Sequence, residues 1–294
     1  MLACNRTHLW CYACQSKNTY WSARTGTLTI TLTLTFEPLN ILTKKFHKAC
    51  AEYSLLEDGD KVLVALSGGK DSLMLVKLMG QQQRIYKPKI EVEAVHVIMD
   101  NIPYETDRTY LEEFCKEAGV KLTILHSSFA RNGAEAPTKR ETSFRYETQS
   151  EIATKTKQKT PCFLCSWNRR KAIFTYAKER GFNKVALGHH QDDILTTLLM
   201  NMMYEGSIQT MPPKLKMKHY PIEIIRPLCL TPEKRIQEEA QRLGFEKQKT
   251  PCPYDRVTKR KEVNDLLHQL EAMNPEARYS LWHSMKNIHP KLLV

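Results

Sequence analysis

Six consecutive residues combine the chemical groups that bind phosphate. They are Ser67, Gly68, Gly69, Lys70, Asp71 and Ser72. The two glycines let the backbone turn sharply, so successive N–H groups can point into one concavity that favours anions. Ser67 and Ser72 add hydroxyl groups, and Lys70 adds a cation. Asp71 would repel a bare phosphate but suits a Mg²⁺ that bridges phosphates, so this glycine run predicts a site for a nucleotide and Mg²⁺.

The glycine run does not follow the Walker pattern of phosphate-binding loops. That pattern, Gly-x-x-x-x-Gly-Lys followed by Ser or Thr, would need Gly at position 64 and Ser or Thr at position 71. The chain has Val64 and Asp71 at those positions. A turn that only connects a strand to a helix would explain the glycines, but it would not explain the Ser, Lys and Asp side chains around them.

A second polar run, Gly188-His-His-Gln-Asp-Asp193, follows a short predicted strand. In a parallel sheet, the residues that follow a strand lie at the edge where ligands bind. Asp192 and Asp193 are therefore predicted catalytic residues, together with Lys70 and Asp71. Of the two neighbouring aspartates, Asp193 is favoured for orienting a metal ion or accepting a proton. Capping of the next helix is the alternative role for both.

Three cysteines have the spacing of ligands to one metal centre. Cys162 and Cys165 form a Cys-x-x-Cys pair, and Cys252 lies far downstream between two prolines. A structural zinc site needs four ligands, so it would have to recruit Cys229 or a histidine of the second polar run. A redox pair would not need Cys252, whereas an iron–sulfur cluster held by three thiolates keeps one iron open. The spacing alone leaves zinc and a cluster as equal alternatives.

The hydrophobic pattern predicts the scaffold that must position these groups. Continuous apolar runs such as Val62–Leu66 indicate strands buried on both faces of a parallel sheet, and segments of helical periodicity alternate with them. The strands are predicted near residues 62–66, 92–98, 120–125, 184–187 and 222–225, and the helices near residues 41–55, 73–79, 105–118, 169–180, 194–204, 232–244 and 262–272. This order predicts an α/β fold with a doubly wound, mostly parallel sheet and helices on both faces.

The same pattern divides the chain into parts of different character. They are residues 1–36, 37–60, 61–245 and 246–294. Residues 1–36 are predicted to be a disordered extension, or to result from translation that starts at a codon upstream of the natural start codon. The second part is an N-terminal helix, and the third is the nucleotide-binding domain. A basic insertion at about 130–160 interrupts that domain, either as a solvated linker or as a flap that contacts nucleic acid. The last part supplies Cys252.

Composition limits the class of protein. The chain has 294 residues, 41% hydrophobic and 26% charged, as expected for a globular protein with a full core. Its net charge of +12 favours a polyanionic partner, because Lys and Arg release condensed counterions from phosphates. Nine cysteines indicate metal or redox chemistry rather than a disulfide scaffold. The sequence contains no bilayer-length apolar run and no signal-peptide pattern, so we expect a cytoplasmic protein without a membrane partner.

The glycine run resembles the PP-loop of the ATP pyrophosphatases. These enzymes bind ATP through its β- and γ-phosphates and release pyrophosphate after adenylating a substrate. The resemblance implies an adenine nucleotide α-hydrolase-like fold, with the adenine near the second strand, here Val95–Asp100. The run Gly188–Asp193 is similar to the GHxxDD element of the branch that thiolates tRNA.

Further motifs narrow the resemblance to one family. Cys162-x-x-Cys165, Cys252 and Met211-Pro-Pro-Lys214, taken with the two polar runs, are similar to motifs of the tRNA-cytidine 2-thiolase family, TtcA, over most of the chain. The chain departs from that family in residues 1–36, in its long basic insertion, and in having no second cysteine soon after Cys252. The set of motifs predicts a tRNA-thiolating member of the PP-loop superfamily.

The family resemblance implies ATP-dependent 2-thiolation of cytidine 32 in the tRNA anticodon loop. In that family three cysteines, here Cys162, Cys165 and Cys252, hold a 4Fe–4S cluster, and the base is adenylated before sulfur is delivered. The implied cofactors are ATP, Mg²⁺ and the cluster. The implied partners are tRNA, a persulfide or sulfide source such as a cysteine desulfurase, and a second copy of the chain in a homodimer.

Two other interpretations of the sequence stay open. One is a PP-loop enzyme that thiolates uridine or amidates a small substrate, with zinc at the cysteines. The other is a non-catalytic protein that binds nucleotide and RNA. Iron–sulfur absorption in an anaerobic preparation would argue against the first, and loss of 2-thiocytidine after Ser67→Ala would argue against the second.

Overall fold

The computed structural model describes residues 41–102, 107–128, 161–246 and 259–292. The predicted extension at 1–36, the basic insertion at about 130–160 and Cys252 lie outside these ranges. The helices are α1 (Ile41–Glu52), α2 (Lys70–Gln83), α3 (Arg108–Ala118), α4 (Pro161–Glu179), α5 (Gln191–Glu205), α6 (Glu233–Arg242), α7 (Lys259–Met273) and α8 (Ala277–Ser284). The strands are β1 (Lys61–Ala65), β2 (Glu91–Met99), β3 (Lys121–Ser127), β4 (Lys184–Ala186), β5 (Lys214–Lys216) and β6 (Glu223–Ile225).

The described strands form one sheet in the order β3-β2-β1-β4-β6-β5. All neighbouring strands are parallel except β5, which pairs antiparallel with β6. The chain moves outward from β1 to β3 and then returns to the other side of β1 with β4. This reversal opens a crevice at the carboxyl ends of β1 and β4, where ligands bind in sheets of this kind. The predicted doubly wound, mostly parallel α/β fold is confirmed.

Several predicted boundaries need correction. The helix predicted from residue 169 begins at Pro161, because proline suits the first turn of a helix, and the Cys-x-x-Cys pair therefore lies inside α4. Sequence analysis did not predict β5, whose three residues carry no apolar alternation beyond Leu215. It also missed α8, since that helix has no fully buried residue and therefore no strong apolar stripe.

The sheet separates two hydrophobic layers, because successive strand residues point to opposite faces. Val64 and Ala94 belong to the layer under α1, α2, α3 and α6. Leu63 and Val95 belong to the opposite layer, which contains Phe174 of α4. Within the described ranges no helix combines the length and apolar character that a bilayer crossing demands.

A buried ion pair lies at the edge of the sheet where the parallel strands begin. Lys184, at the start of β4, has only 3% of its side chain exposed and lies 2.7 Å from Asp60. Its amine also donates to the carbonyl of Leu55 at 3.0 Å. Asn183 donates to the other oxygen of Asp60 at 2.7 Å. Because Lys184 and Asp60 are paired with each other and hydrogen-bonded to their neighbours, these charges have a structural role. The candidate site lies at the opposite edge, where the parallel strands end.

Candidate active site

The glycine run forms a closed turn between β1 and α2. Gly68 has a φ of 86°, a left-handed conformation that glycine adopts without steric cost. The N–H of Ser67 donates to Oγ of Ser72 at 3.1 Å, and that hydroxyl donates to the carbonyl of Gly69 at 2.9 Å. The N–H of Gly69 donates to Oγ of Ser67 at 3.3 Å. The two serines therefore hold the shape of the turn in addition to offering polar groups to a ligand.

A buried histidine contacts the residue that joins β1 to this turn. His96, on β2, is 2% exposed, and its Nδ1 lies 2.8 Å from the carbonyl oxygen of Leu66. Because a carbonyl can only accept, Nδ1 must carry the proton. Burial lowers the pKa of His96, and the hydrogen bond to Leu66 acts in the opposite direction. The positive charges of Arg169 and Arg108 lower this pKa further. Sequence analysis missed His96, because its place in an apolar strand predicts only a core residue.

Gly188 brings the second polar run against the first. A Cβ at this position would lie 3.1 Å from the backbone nitrogen of Ser72 and 3.2 Å from the carbonyl carbon of Asp71. Both contacts are to backbone atoms in the first turn of α2, so they could not move away cheaply. The absence of a side chain at Gly188 thus allows the two runs, far apart in sequence, to share one edge of the sheet.

Lys70 and Asp71 form the charged part of the site. The amine of Lys70 lies 2.8 Å from Oε1 of Glu233 and 3.2 Å from Oδ2 of Asp71. Burial acts to lower the pKa of Lys70, but Glu233 and Asp71 outweigh it, so the pKa is raised and the amine stays charged. Burial raises the pKa of Asp71, outweighing the opposite effects of His190 and Lys70.

One oxygen of Asp71 fits a bound cation. Among the described residues, Oδ1 of Asp71 is buried without a hydrogen-bond partner, and the imidazole of His190 lies 3.9 Å away. The described ranges contain no group of three or more His, Cys, Asp or Glu residues that could hold a metal ion by themselves. Mg²⁺ commonly uses one or two carboxylates together with substrate phosphates and water. Asp71 therefore suits a Mg²⁺ that arrives with a nucleotide.

Asp193 is placed as a helix cap beside the crevice. Its Oδ2 accepts from the N–H of His190 at 3.1 Å, and Nδ1 of His190 accepts from the N–H of Asp193 at 3.4 Å, which together form a capping box at α5. Its Oδ1 lies 2.8 Å from Arg260 of α7. Although burial acts to raise it, His190 and His189 hold the pKa of Asp193 below its usual value. The capping alternative is thus observed, and a catalytic role for Asp193 stays a prediction.

Asp192 faces the protein interior. Its side chain is 4% exposed, and Oδ1 accepts from Arg278 of α8 at 2.9 Å. Its Oδ2 accepts from the backbone N–H of Glu233 at 2.7 Å. Both oxygens are therefore engaged in holding α6 and α8 against the start of α5. The catalytic role predicted for Asp192 stays a prediction, and its contacts favour a positioning role.

The cysteine pair occupies the first turn of α4. Cys162 is exposed and Cys165 is partly buried, and a spacing of three places them on one helix face. Cys165 packs against the cluster that contains Met99, the last residue of β2, and Ile102, which follows that strand. The pair therefore lies at the same edge of the sheet as the glycine run. Cys252 lies outside the described residues, so its convergence on the pair stays a prediction.

Three other cysteines differ from this pair in environment. Burial raises the pKa of Cys50, Cys115 and Cys229 to about 12. They stay protonated near neutral pH, whereas metal ligation needs a thiolate. Cys229 also lies in the layer under α1 and α2, across the sheet from Cys165. This separation argues against Cys229 as the fourth ligand of a zinc site.

A neutral histidine accompanies the site. Nδ1 of His189 accepts a hydrogen bond from Arg226 at 3.3 Å. Burial, with the nearby Arg226 guanidinium, lowers the pKa of His189 to about 4, although Asp193 acts in the opposite direction. In the unfolded chain the pKa returns to its ordinary value of 6.5. Between these values the unfolded state binds more protons, so His189 makes stability fall as the pH drops through this window.

We expect His189→Asn to reduce the acid sensitivity of the fold. The asparagine oxygen can accept the hydrogen bond from Arg226 but does not titrate. The free energy of unfolding, measured by urea denaturation, should fall less between about pH 6.5 and pH 4.5 than in the original chain. Replacing the exposed His219 by Asn serves as the control. An unchanged slope in His189→Asn would contradict the neutral state of His189.

The fold and the site define a class of protein. A PP-loop protein is characterised by a strand, a Ser-Gly-Gly-Lys-Asp-Ser turn and a helix that follow one another. Here they lie where the strand order of the parallel sheet reverses. Residues 38–164 match the family model described as a PP-loop domain. The predicted membership in the PP-loop superfamily is confirmed.

Comparison with curated proteins identifies the family. Over 254 residues the chain is 34% identical to the tRNA-cytidine(32) 2-sulfurtransferase of Bdellovibrio bacteriovorus, covering 85% of this chain and 89% of that protein. Over 264 residues it is 33% identical to the tRNA-cytidine(32) 2-sulfurtransferase of Legionella pneumophila strain Paris, covering 87% and 85%. The chain belongs to the tRNA-cytidine(32) 2-sulfurtransferase family, a group of transferases.

A solved structure shares the fold. The U34-tRNA thiolase NcsA from Methanococcus maripaludis, determined with its 4Fe–4S cluster, superposes with a TM-score of 0.64 at 27% sequence identity. The match covers 84% of this chain and 76% of that one. This thiolase is a relative whose substrate base differs from that of the curated relatives.

Proposed function

We propose that this chain uses ATP to replace the C2 oxygen of cytidine 32 in tRNA by sulfur. The names of its curated relatives support the reaction and the substrate. The structural observation that supports it most is the shared edge of the sheet, where the glycine run follows β1 and the pair Cys162 and Cys165 opens α4. An activating site and a sulfur-delivery site must be neighbours, because reacting atoms have to approach to roughly 3–3.5 Å.

The first proposed step activates a poor electrophile. The C2 carbonyl of cytosine belongs to a stabilised, urea-like system, so its oxygen is a poor leaving group. The C2 oxygen forms a bond to the α-phosphorus of ATP, the bond from that phosphorus to the bridging oxygen breaks, and pyrophosphate leaves. The amides of the glycine run and Lys70 stabilise the charge that develops on pyrophosphate, and Asp71 holds its Mg²⁺.

The second proposed step exchanges oxygen for sulfur. A sulfide equivalent attacks C2, the C2–O bond breaks, and AMP leaves with the original oxygen. Carbon and sulfur keep their oxidation states when sulfur enters as sulfide, so this step needs no external oxidant or reductant. A 4Fe–4S cluster held by Cys162, Cys165 and Cys252 would supply an iron without a protein ligand, at which sulfide can bind.

The remaining partners belong to the same proposal. Cytidine 32 lies in a loop, where an unpaired base can be turned out at modest cost. The net charge of +12 favours binding to the phosphates around it. The sulfur comes from a sulfide source, or from a persulfide of the kind that a cysteine desulfurase makes. In the second case a thiol reductant is also needed, because it takes up the inner sulfur in a disulfide and releases the outer sulfur as sulfide. A homodimer and a cytoplasmic location complete the proposal.

Mass spectrometry of tRNA nucleosides tests the function. The chain would be expressed in a bacterium that lacks its own tRNA-cytidine(32) 2-sulfurtransferase, with Cys252→Ser as the inactive control. We expect 2-thiocytidine to appear with the original chain and to be absent with the control. A rise in 2-thiouridine alone would support the uridine alternative. No thiolated nucleoside, from a protein that still binds ATP and tRNA, would support the non-catalytic alternative.

A further inference from the structure

Lys70 lies between two carboxylates, and one of them comes from a distant part of the chain. Glu233, the first residue of α6, approaches the amine of Lys70 more closely than Asp71 does, at 2.8 Å against 3.2 Å. The Lys70 and Glu233 side chains are 32% and 36% exposed, so both reach the open crevice. An ammonium group has three N–H donors, and these contacts use two of them. The third can reach a phosphate oxygen.

Glu233 is held in place by Asp192. The residue before α6 is Pro232, and its side chain makes no capping hydrogen bond. The N–H of Glu233 instead donates to Oδ2 of Asp192 at 2.7 Å. A carboxylate from α5 thus caps α6, where the helix dipole favours a negative charge. Since the Asp192 side chain is 4% exposed, packing fixes its position and, through it, the start of α6.

Arg278 holds Asp192 in turn. Nη2 of Arg278 donates to Oδ1 of Asp192 at 2.9 Å. The same guanidinium makes a two-pronged contact to Glu271 of α7, with Nε at 2.6 Å and Nη2 at 2.9 Å from its two oxygens. Such paired contacts define orientation as well as energy. A continuous series of contacts therefore joins α8 to the amine of Lys70.

We propose that Glu233 is a positioning residue that aims Lys70 at the phosphates of ATP, and that Arg278 supports Glu233 through Asp192. Glu233 can act in this way only if ATP is the ligand of the glycine run, so its role rests on the proposed function. Neither Glu233 nor Arg278 touches the reacting atoms. The C-terminal helices, which lie beyond the matched PP-loop domain at 38–164, then form part of the nucleotide site.

Glu233→Gln tests the first contact. The amide keeps the shape and one acceptor but loses the charge that orients the ammonium group. We expect the Kd and the KM for MgATP to rise about tenfold. We also expect kcat to fall, because Lys70 stabilises the charge that develops on pyrophosphate. The matched control is Glu238→Gln, because Glu238 lies on the same helix, is exposed and pairs with Arg235. Unchanged or tighter MgATP binding in Glu233→Gln would overturn the positioning role.

Arg278→Met tests the support. This variant should also weaken MgATP binding. The double variant that adds Glu233→Gln should have a Kd no higher than the higher of the two single-variant values, because both residues act through Lys70. If Arg278 only stabilised the fold, Arg278→Met would lower the thermal midpoint, but its effect on the Kd would not be non-additive with that of Glu233→Gln. Additive effects on the Kd would overturn the link between Arg278 and Glu233. If Arg278→Met does not fold, Arg278→Lys serves, since an ammonium cannot reproduce the two-pronged contact.

Binding of MgATP to the original chain separates the two proposals. A chain that fails to bind MgATP in calorimetric titration would overturn both the proposed function and the role of Glu233. A chain that binds MgATP and thiolates tRNA, together with a Glu233→Gln variant of normal affinity, would overturn the role of Glu233 alone.

Discussion

Asp71→Asn is expected to slow pyrophosphate release at least about a hundredfold while leaving the fold intact. The asparagine matches aspartate in shape but cannot bind Mg²⁺ as a carboxylate does. Stabilisation of developing charge by a metal ion contributes several kcal/mol, and each 1.36 kcal/mol changes the rate about tenfold. The buried Oδ1 of Asp71 has no hydrogen-bond partner among the described residues, and it belongs to the carboxylate whose charge the variant removes.

Stability distinguishes a lost site from a lost fold. Burial raises the pKa of Asp71, so near neutral pH its charge opposes folding. Removing that charge should leave the thermal midpoint unchanged or raise it. Asp265→Asn, at an exposed position of α7, is the control. Pyrophosphate release with tRNA present and the thermal midpoint are the two measurements. Full activity in Asp71→Asn would contradict the metal-binding role, and a lower midpoint would contradict the electrostatic reasoning.

Cys162→Ser and Cys165→Ser should each abolish 2-thiocytidine formation and lower the iron content. A serine hydroxyl does not ionise near neutral pH and therefore cannot replace a thiolate ligand of iron. The affinity for MgATP should stay within about twofold of the original value, because the glycine run and its hydrogen bonds are not altered. These variants therefore separate loss of sulfur delivery from loss of nucleotide binding.

Metal analysis tests directly whether the cysteines bind an iron–sulfur cluster. Protein purified without oxygen would be assayed for iron, zinc and absorption in the visible range, beside a Cys50→Ala control. Cys50 belongs to α1 and packs against the hydrophobic layer beneath that helix, and its pKa of about 12 marks it as a protonated thiol. Stoichiometric zinc without iron in the original chain would contradict the cluster. Retention of iron by both serine variants would contradict the ligand assignment.

The fold and the phosphate loop were predictable because their signals are local. A buried strand, two glycines and a helix follow one another within about twenty residues, and each element is encoded by its own residue pattern. The same holds for β4, which precedes the Gly188–Asp193 run, and for α5, which begins within it. The family itself could be recognised from these motifs together with the cysteine spacing. Element boundaries were less accurate, as the early start of α4 at Pro161 shows.

The partners of the charged side chains were not predictable in the same way. In sequence, Glu233 is an acid at a helix start, His96 is a polar residue in an apolar strand, and Arg278 is one of many cations. Each acquires its role from a residue far away in the chain: Lys70, Leu66 or Asp192. A pattern in one segment carries no information about which distant group will satisfy a buried charge.

The sequence by itself determined that this chain has a parallel α/β sheet, a PP-loop and a Cys-x-x-Cys pair. Only the tertiary structure decided that Asp193 caps α5, that Asp192 turns inward to Arg278, and that Glu233 meets Lys70. The physical reason is that secondary structure follows from local periodicity, whereas the state of a buried charge follows from burial and from its neighbours in space.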